Sequence, residues 1–103
     1  MTDRILQLKK LLEADPDDSF CLYGLAFEYE KAGEHETAIE YFDRALAADP
    51  DYCYAYYHKA RSQKAMGDGA GAVATLRAGL TRAEAIGDAK AASEITTFLN
   101  TLS

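Results

Sequence analysis

No window of this sequence comes near the roughly 20 consecutive apolar residues that a bilayer-spanning helix needs, so no membrane partner is expected. The first ten residues, Met-Thr-Asp-Arg-Ile-Leu-Gln-Leu-Lys-Lys, also lack the unbroken apolar run of a secretory signal, and a cytoplasmic protein is expected. Tryptophan is absent and proline occurs only at 16 and 50, which leaves nearly every other position open to helix. The two cysteines, Cys21 and Cys53, form no Cys-x-x-Cys pair; in a reducing compartment they read as small, buried or half-buried hydrophobes at helix starts. His58 lies five residues after Cys53, about 140° away around a helix, and His35 falls in a turn. Neither a Cys–His catalytic pair nor a zinc-ligand spacing results, and the expectation is no enzyme activity, no metal and no cofactor. Basic residues are few, 11 against 17 acids, and no basic stripe with interleaved aromatics offers itself to nucleic acid.

What is present is a period. Ala-Asp-Pro-Asp-Asp at 14–18 recurs as Ala-Asp-Pro-Asp-Tyr at 48–52, and Gly33 and Gly67, each in a turn context, are likewise 34 residues apart. Two independent landmarks in one register mark a helical repeat array, whose units bury their apolar faces only against neighbours and leave one long face free. Apolar spacing and turn signals place six helices, at about Thr2–Ala14, Ser19–Ala32, Glu36–Ala48, Tyr52–Met66, from just after Asp68 to Ile86, and Asp88–Leu102. Ile5, Leu8, Leu11 and Leu12 form the stripe of the first. Glu84 stands where a third proline is due, so the fifth helix runs on until Gly87 stops it. Charge divides unevenly: residues 13–51 carry twelve acids against Lys31 and Arg44, while 52–103 carry four acids against six bases. The acidic half reads as a solvated face.

Leu22, Leu25, Ala26, Tyr29, Gly33, Ala38, Phe42, Ala45 and Pro50 stand at the spacing of a known signature, and residues 19–52 resemble a tetratricopeptide repeat. Residues 53–86 resemble a second through Tyr56, Ala60, Gly67, Ala72 and Leu76, with Gly79 for the small alanine and with Lys59 and Gln63 where the family has Leu and Tyr. The resemblance implies an all-α, right-handed solenoid of antiparallel helix pairs in one domain over 1–103: a half repeat at 1–18, repeats at 19–52 and 53–86, and a capping helix at 87–103. It also implies a concave side, lined by the first helix of each pair, where the family binds peptides. Its carboxylate-clamping subclass uses Lys and Asn at groove positions that here are largely aromatic, so that ligand is not expected.

Eight of the eleven aromatics lie on or at the start of the two first-of-pair helices, although the signature accounts for only Tyr29 and Tyr56. Phe20, Tyr23 and Phe27 follow i, i+3, i+7; Tyr54, Tyr57 and Arg61 repeat that spacing 34 residues later, and Lys64 continues it. Two readings of these seven residues stand side by side. Either the rings fill a shallow groove by packing on one another or on the closing helix, or they anchor a protein or peptide partner whose acidic group meets Arg61 and Lys64. A third possibility for function comes from Leu6, which lies off the apolar stripe of a first helix with no preceding partner: self-association as a homodimer through this end.

Overall fold

Proline and glycine divide the described residues into six α-helices: α1 (Thr2–Ala14), α2 (Ser19–Lys31), α3 (His35–Ala48), α4 (Cys53–Ala65), α5 (Gly69–Ile86) and α6 (Ala89–Leu102). The computed structural model describes residues 2–102, Thr2 by its backbone alone; Met1 and Ser103, the ends of the expected domain, lie outside the described residues. No strand occurs among the described residues, and no helix is long and apolar enough to cross a membrane. The helix limits fall within a residue of the sequence expectation: Ala32, Tyr52, Met66 and Asp88 take cap positions, while His35, expected in a turn, opens α3. Asp18 caps α2, accepting from the Phe20 and Cys21 amides at 3.0 and 3.2 Å, and Asp88 caps α6 through the Ala91 amide at 3.1 Å.

One turn geometry is used three times. Gly33, Gly67 and Gly87 adopt φ of 80°, 82° and 75°, a region that side chains disfavour, and reverse the chain after α2, α4 and α5. In each, the amide of the residue after the glycine donates to the carbonyl five residues back, Glu34 to Tyr29 at 2.9 Å, Asp68 to Gln63 at 2.9 Å and Asp88 to Ala83 at 2.8 Å. These bonds satisfy helix carbonyls that would otherwise be orphaned.

Each helix packs against the next in sequence, and α2, α4 and α6 also touch one another in succession; α1, α3 and α5 do not. The first helices are therefore crowded together and the second helices splay apart, which curves the right-handed stack and gives it a concave side made by α2, α4 and α6. Close approach depends on small side chains. Ala26, Ala38, Ala45, Ala60 and Ala72 are wholly buried, while Phe42, Leu22, Leu25 and Leu76 fill the space between them.

Three details depart from the simple pattern. Leu11, expected on the stripe of α1, is 58% exposed, and only Ile5, Leu8 and Leu12 are buried there. In the 34-residue register Leu11 corresponds to Ala45, which packs with Leu22 and Leu25 of the helix paired with α3; among the described residues no helix covers Leu11 in the same way. Lys59 and Gln63 replace apolar residues and find polar partners: Lys59 Nζ reaches Asp43 at 2.6 Å, and Thr75 donates to Gln63 Oε1 at 2.7 Å. Thr75 is itself buried, so this bond satisfies two polar groups at the α4–α5 contact.

Gly79 marks a close approach of α5 to α4. A methyl group there would sit 2.6 Å from Tyr56 Cβ, 2.9 Å from its Cγ and 3.3 Å from Ile95 Cδ1. Gly79→Ala is expected to lose about 1–3 kcal/mol by overpacking, despite the higher helix propensity of alanine. Gly69→Ala, where nothing lies within 4 Å, should be neutral or gain about 0.4–1 kcal/mol. Urea denaturation of the two variants checks the contrast, and equal stabilities would mean that α4 and α5 do not meet at this point.

Candidate functional site: the concave face

The face made by α2, α4 and α6 gathers rings and charges that lie far apart in sequence. Tyr23 is half-buried and its ring stacks on Tyr52 at 4.6 Å, with Phe42 at 5.9 Å and Phe27 at 6.4 Å. Tyr52 occupies the register position of Asp18, where the second repeat gives up a capping side chain and gains this stack. Burial pushes the Tyr23 phenol up to about 12, with the neighbouring Tyr52 and Glu30 adding to the shift. Tyr23 thus belongs to the core as much as to the groove.

Beside it, His58 is enclosed by the rings of Phe27 at 5.3 Å, Tyr57 at 5.4 Å, Tyr23 at 5.9 Å and Phe42 at 6.2 Å. Its Nδ1 lies 3.0 Å from Glu30 Oε1, and Arg61 Nε lies 3.5 Å from Glu30 Oε2. Glu30 is 9% exposed, so a carboxylate from α2 is buried against two side chains of α4. A second polar contact follows along the same seam, where His35 Nδ1 meets the buried Ser62 hydroxyl at 3.2 Å. Every buried side-chain polar atom among the described residues has a partner.

Two hollows open on this face. One, of about 350 Å³, is lined by Phe27, Glu30, Lys31, His35, Arg61 and Ala65. The other, of about 360 Å³, is lined by Tyr57, Arg61, Lys64, Ala65 and Phe98. Phe98 of α6 packs on Tyr57 at 5.2 Å, and Lys64 Nζ sits 6.0 Å above its ring.

The seven groove residues expected from the sequence do not all meet. Tyr23 and Phe27 join through ring stacking, Tyr57, Arg61 and Lys64 line one hollow, and Phe27 and Arg61 line the other. Phe20 is 65% exposed and makes no ring contact among the described residues. Tyr54 packs instead on the cluster of Cys53, Ala83 and Ala91, and burial followed by a hydrogen bond to Glu94 raises its phenol. Glu30, His58 and Phe98 were not expected at the site. Glu30 had a signal: it continues the series of Phe20, Tyr23 and Phe27 at i+10, the position Lys64 holds in the second series. His58 had none, because its register partner is Gly24.

Cys53 and His58, the one Cys–His combination on a single helix, turn to different neighbours. Burial raises the thiols of both cysteines, which is opposite to the activation a nucleophile needs. No group of three or more metal-ligating side chains forms among the described residues.

A stack of antiparallel helix pairs with a 34-residue period and a ring-lined concave side defines a helical repeat solenoid. The chain belongs to the tetratricopeptide repeat family, whose pattern matches residues 19–52. It is 35% identical over 95 residues to the TPR repeat-containing protein PA0015 of Pseudomonas aeruginosa, an alignment covering 92% of this chain and 90% of that protein. Its fold matches the solution structure of BPP2914 from Bordetella parapertussis with a TM-score of 0.85 and 26% identity, over 99% of this chain and 89% of that one. It also matches the TPR2B domain of yeast Sti1 in its complex with pHsp70, with a TM-score of 0.89 and 24% identity, over 95% and 78% of the two chains.

The raised Tyr23 phenol gives a pH dependence of definite sign. Between its ordinary value of 10.0 and about 12 the folded state keeps a proton that the unfolded state releases. The stability this contributes is complete below pH 10 and is lost as pH rises through about 12. In denaturation curves taken across that window, Tyr23→Phe should lose stability less steeply than the parent. Parallel losses would mean that Tyr23 is not buried as described.

Proposed function

We infer that this protein is a protein-interaction module that takes a peptide segment of a partner along the concave face of α2, α4 and α6. The observation that carries this reading is the composition of that face: half-exposed Phe27, Tyr57 and Phe98 beside Arg61 and Lys64, more ring surface than the stacking of helices requires. Rigid amphipathic rings next to a guanidinium are the side chains that most often dominate peptide and protein interfaces. The fold relative from yeast Sti1 is a complex with pHsp70, which supports a binding role for this architecture. Tyr23 serves as the structural floor of the groove, while exposed Phe20 and Tyr54, which packs on Cys53, Ala83 and Ala91, line neither hollow. A cytoplasmic location belongs to the same proposal and rests on two free, buried thiols.

The test compares capture of partners from native lysate by the parent, by a groove variant and by a convex-face control. Phe27→Ala with Tyr57→Ala is expected to abolish capture, since truncating an interface anchor typically costs about 2 kcal/mol or more. Glu40→Ala with Arg77→Ala, both exposed on the second helices, should leave it intact. A groove variant that keeps its helical circular dichroism and still captures the same protein would show that the partner sits elsewhere.

A second reading is favoured by the open face of α1, where Leu6 is 63% and Leu11 58% exposed. On that reading the protein is a self-associating structural module and forms a homodimer through α1. Leu6→Glu is then expected to convert dimer to monomer in sedimentation with helical content unchanged. A parent that is already monomeric at high concentration removes this reading.

A further inference from the structure

Arg61 and Ala65 line both concave hollows, so Arg61 stands as the divide between them. On one side the wall is Phe27, with Lys31 Nζ 5.2 Å over its ring; on the other it is Tyr57 and Phe98, with Lys64 over Phe98. The charge here runs against that of the whole chain. With a formal net charge of −6, the protein nonetheless brings Arg61 and Lys64 to a hollow lined by no carboxylate. The one carboxylate lining the other hollow, Glu30, is already engaged by His58 and by Arg61 Nε. That ion pair, at 3.5 Å, engages the guanidinium through Nε alone, and no further partner of Arg61 is found among the described residues. The remaining N–H groups of Arg61 form a fork suited to a second carboxylate.

We propose that the two hollows act as one bipartite subsite for an internal acidic residue flanked by apolar residues, the carboxylate on Arg61 and one apolar side chain in each hollow. In an extended segment, side chains two residues apart share a face and lie about 6.6 Å from one another along the chain. The sequence recognised is therefore apolar-x-acidic-x-apolar, with the first and last positions against Phe27 and against the Tyr57–Phe98 pair in either direction. Lys64 adds long-range attraction for the acid and raises the encounter rate. This inference rests on the concave peptide-binding reading above and adds to it the chemistry of the segment.

The probe is a library of random short peptides displayed with blocked C-termini, selected on the intact protein in moderate salt. Enrichment of Asp or Glu at one position, with Leu, Ile, Met or Phe two residues to either side, is expected. Non-specific attraction to a chain of net charge −6 would enrich basic peptides instead, which makes the outcome diagnostic. Replacing the selected Asp by Asn in a synthetic copy should weaken binding about tenfold on the parent, the factor carried by one charge-assisted pair. On Arg61→Gln the same replacement should change binding less than about twofold. The peptide-side exchange leaves the protein untouched, so it decides the matter even where Arg61→Gln disturbs Glu30. Selected peptides that compete at Phe27 and Tyr57 but lack the acid overturn this inference and leave the groove reading standing. Failure to select any peptide that Phe27→Ala with Tyr57→Ala abolishes overturns both.

Discussion

The structure depends on how closely helices can approach where their side chains are small. Ala26, Ala38, Ala45, Ala60 and Ala72 are wholly buried, and buried Gly79 lies so near Tyr56 that even a methyl group has no room. With that spacing, Phe42, Leu22, Leu25, Leu76 and Ile95 interdigitate at core density, and each helix covers the next. The curvature follows from the same constraint. First helices touch across repeats while second helices do not, so a face shared by α2, α4 and α6 exists only because the small positions allow it.

That face combines two jobs that pull in different directions. A rigid floor comes from Tyr23, stacked on Tyr52 and packed on Phe42, and from buried Glu30, held between His58 and the more exposed Arg61 of α4. Isolating a carboxylate from water is costly unless its oxygens are occupied, and here each has its own nitrogen partner. The rim is softer: Phe27, Tyr57, Phe98, Arg61 and Lys64 keep ring faces and donors turned to solvent. On the proposed reading, rings held in place from below lose little freedom when a partner binds, which favours affinity.

The two ends of the stack differ for a related reason. At the C-terminal end α6 buries Ala91 and Ile95 and turns Ser93, Thr97 and Thr101 to water, a polar closure of the core. At the N-terminal end α1 buries Ile5, Leu8 and Leu12 but leaves Leu6 and Leu11 uncovered. The exposure of Leu11 is a consequence of register rather than of its own chemistry: the same position in the next repeat is a fully buried alanine.

Periodicity alone determined the helices, their order and most of the core, because prolines, glycines and small residues act locally or at a fixed 34-residue spacing that can be read without coordinates. Lys59 and Gln63 broke that pattern, and nothing local pointed to Asp43 or Thr75 as their partners. The concave cluster was legible only in part. Tyr23, Phe27, Tyr57, Arg61 and Lys64 share a helical face that spacing reveals, but spacing could not tell a floor from a rim. Only the stacking of α2 on α4, and of α6 on α4, decided that Tyr23 would be half core, that Glu30 would meet His58 28 residues away, and that Phe98 would close one hollow. Contacts between repeats depend on how far successive helices rotate and approach, a property of the packed whole that no single helix carries.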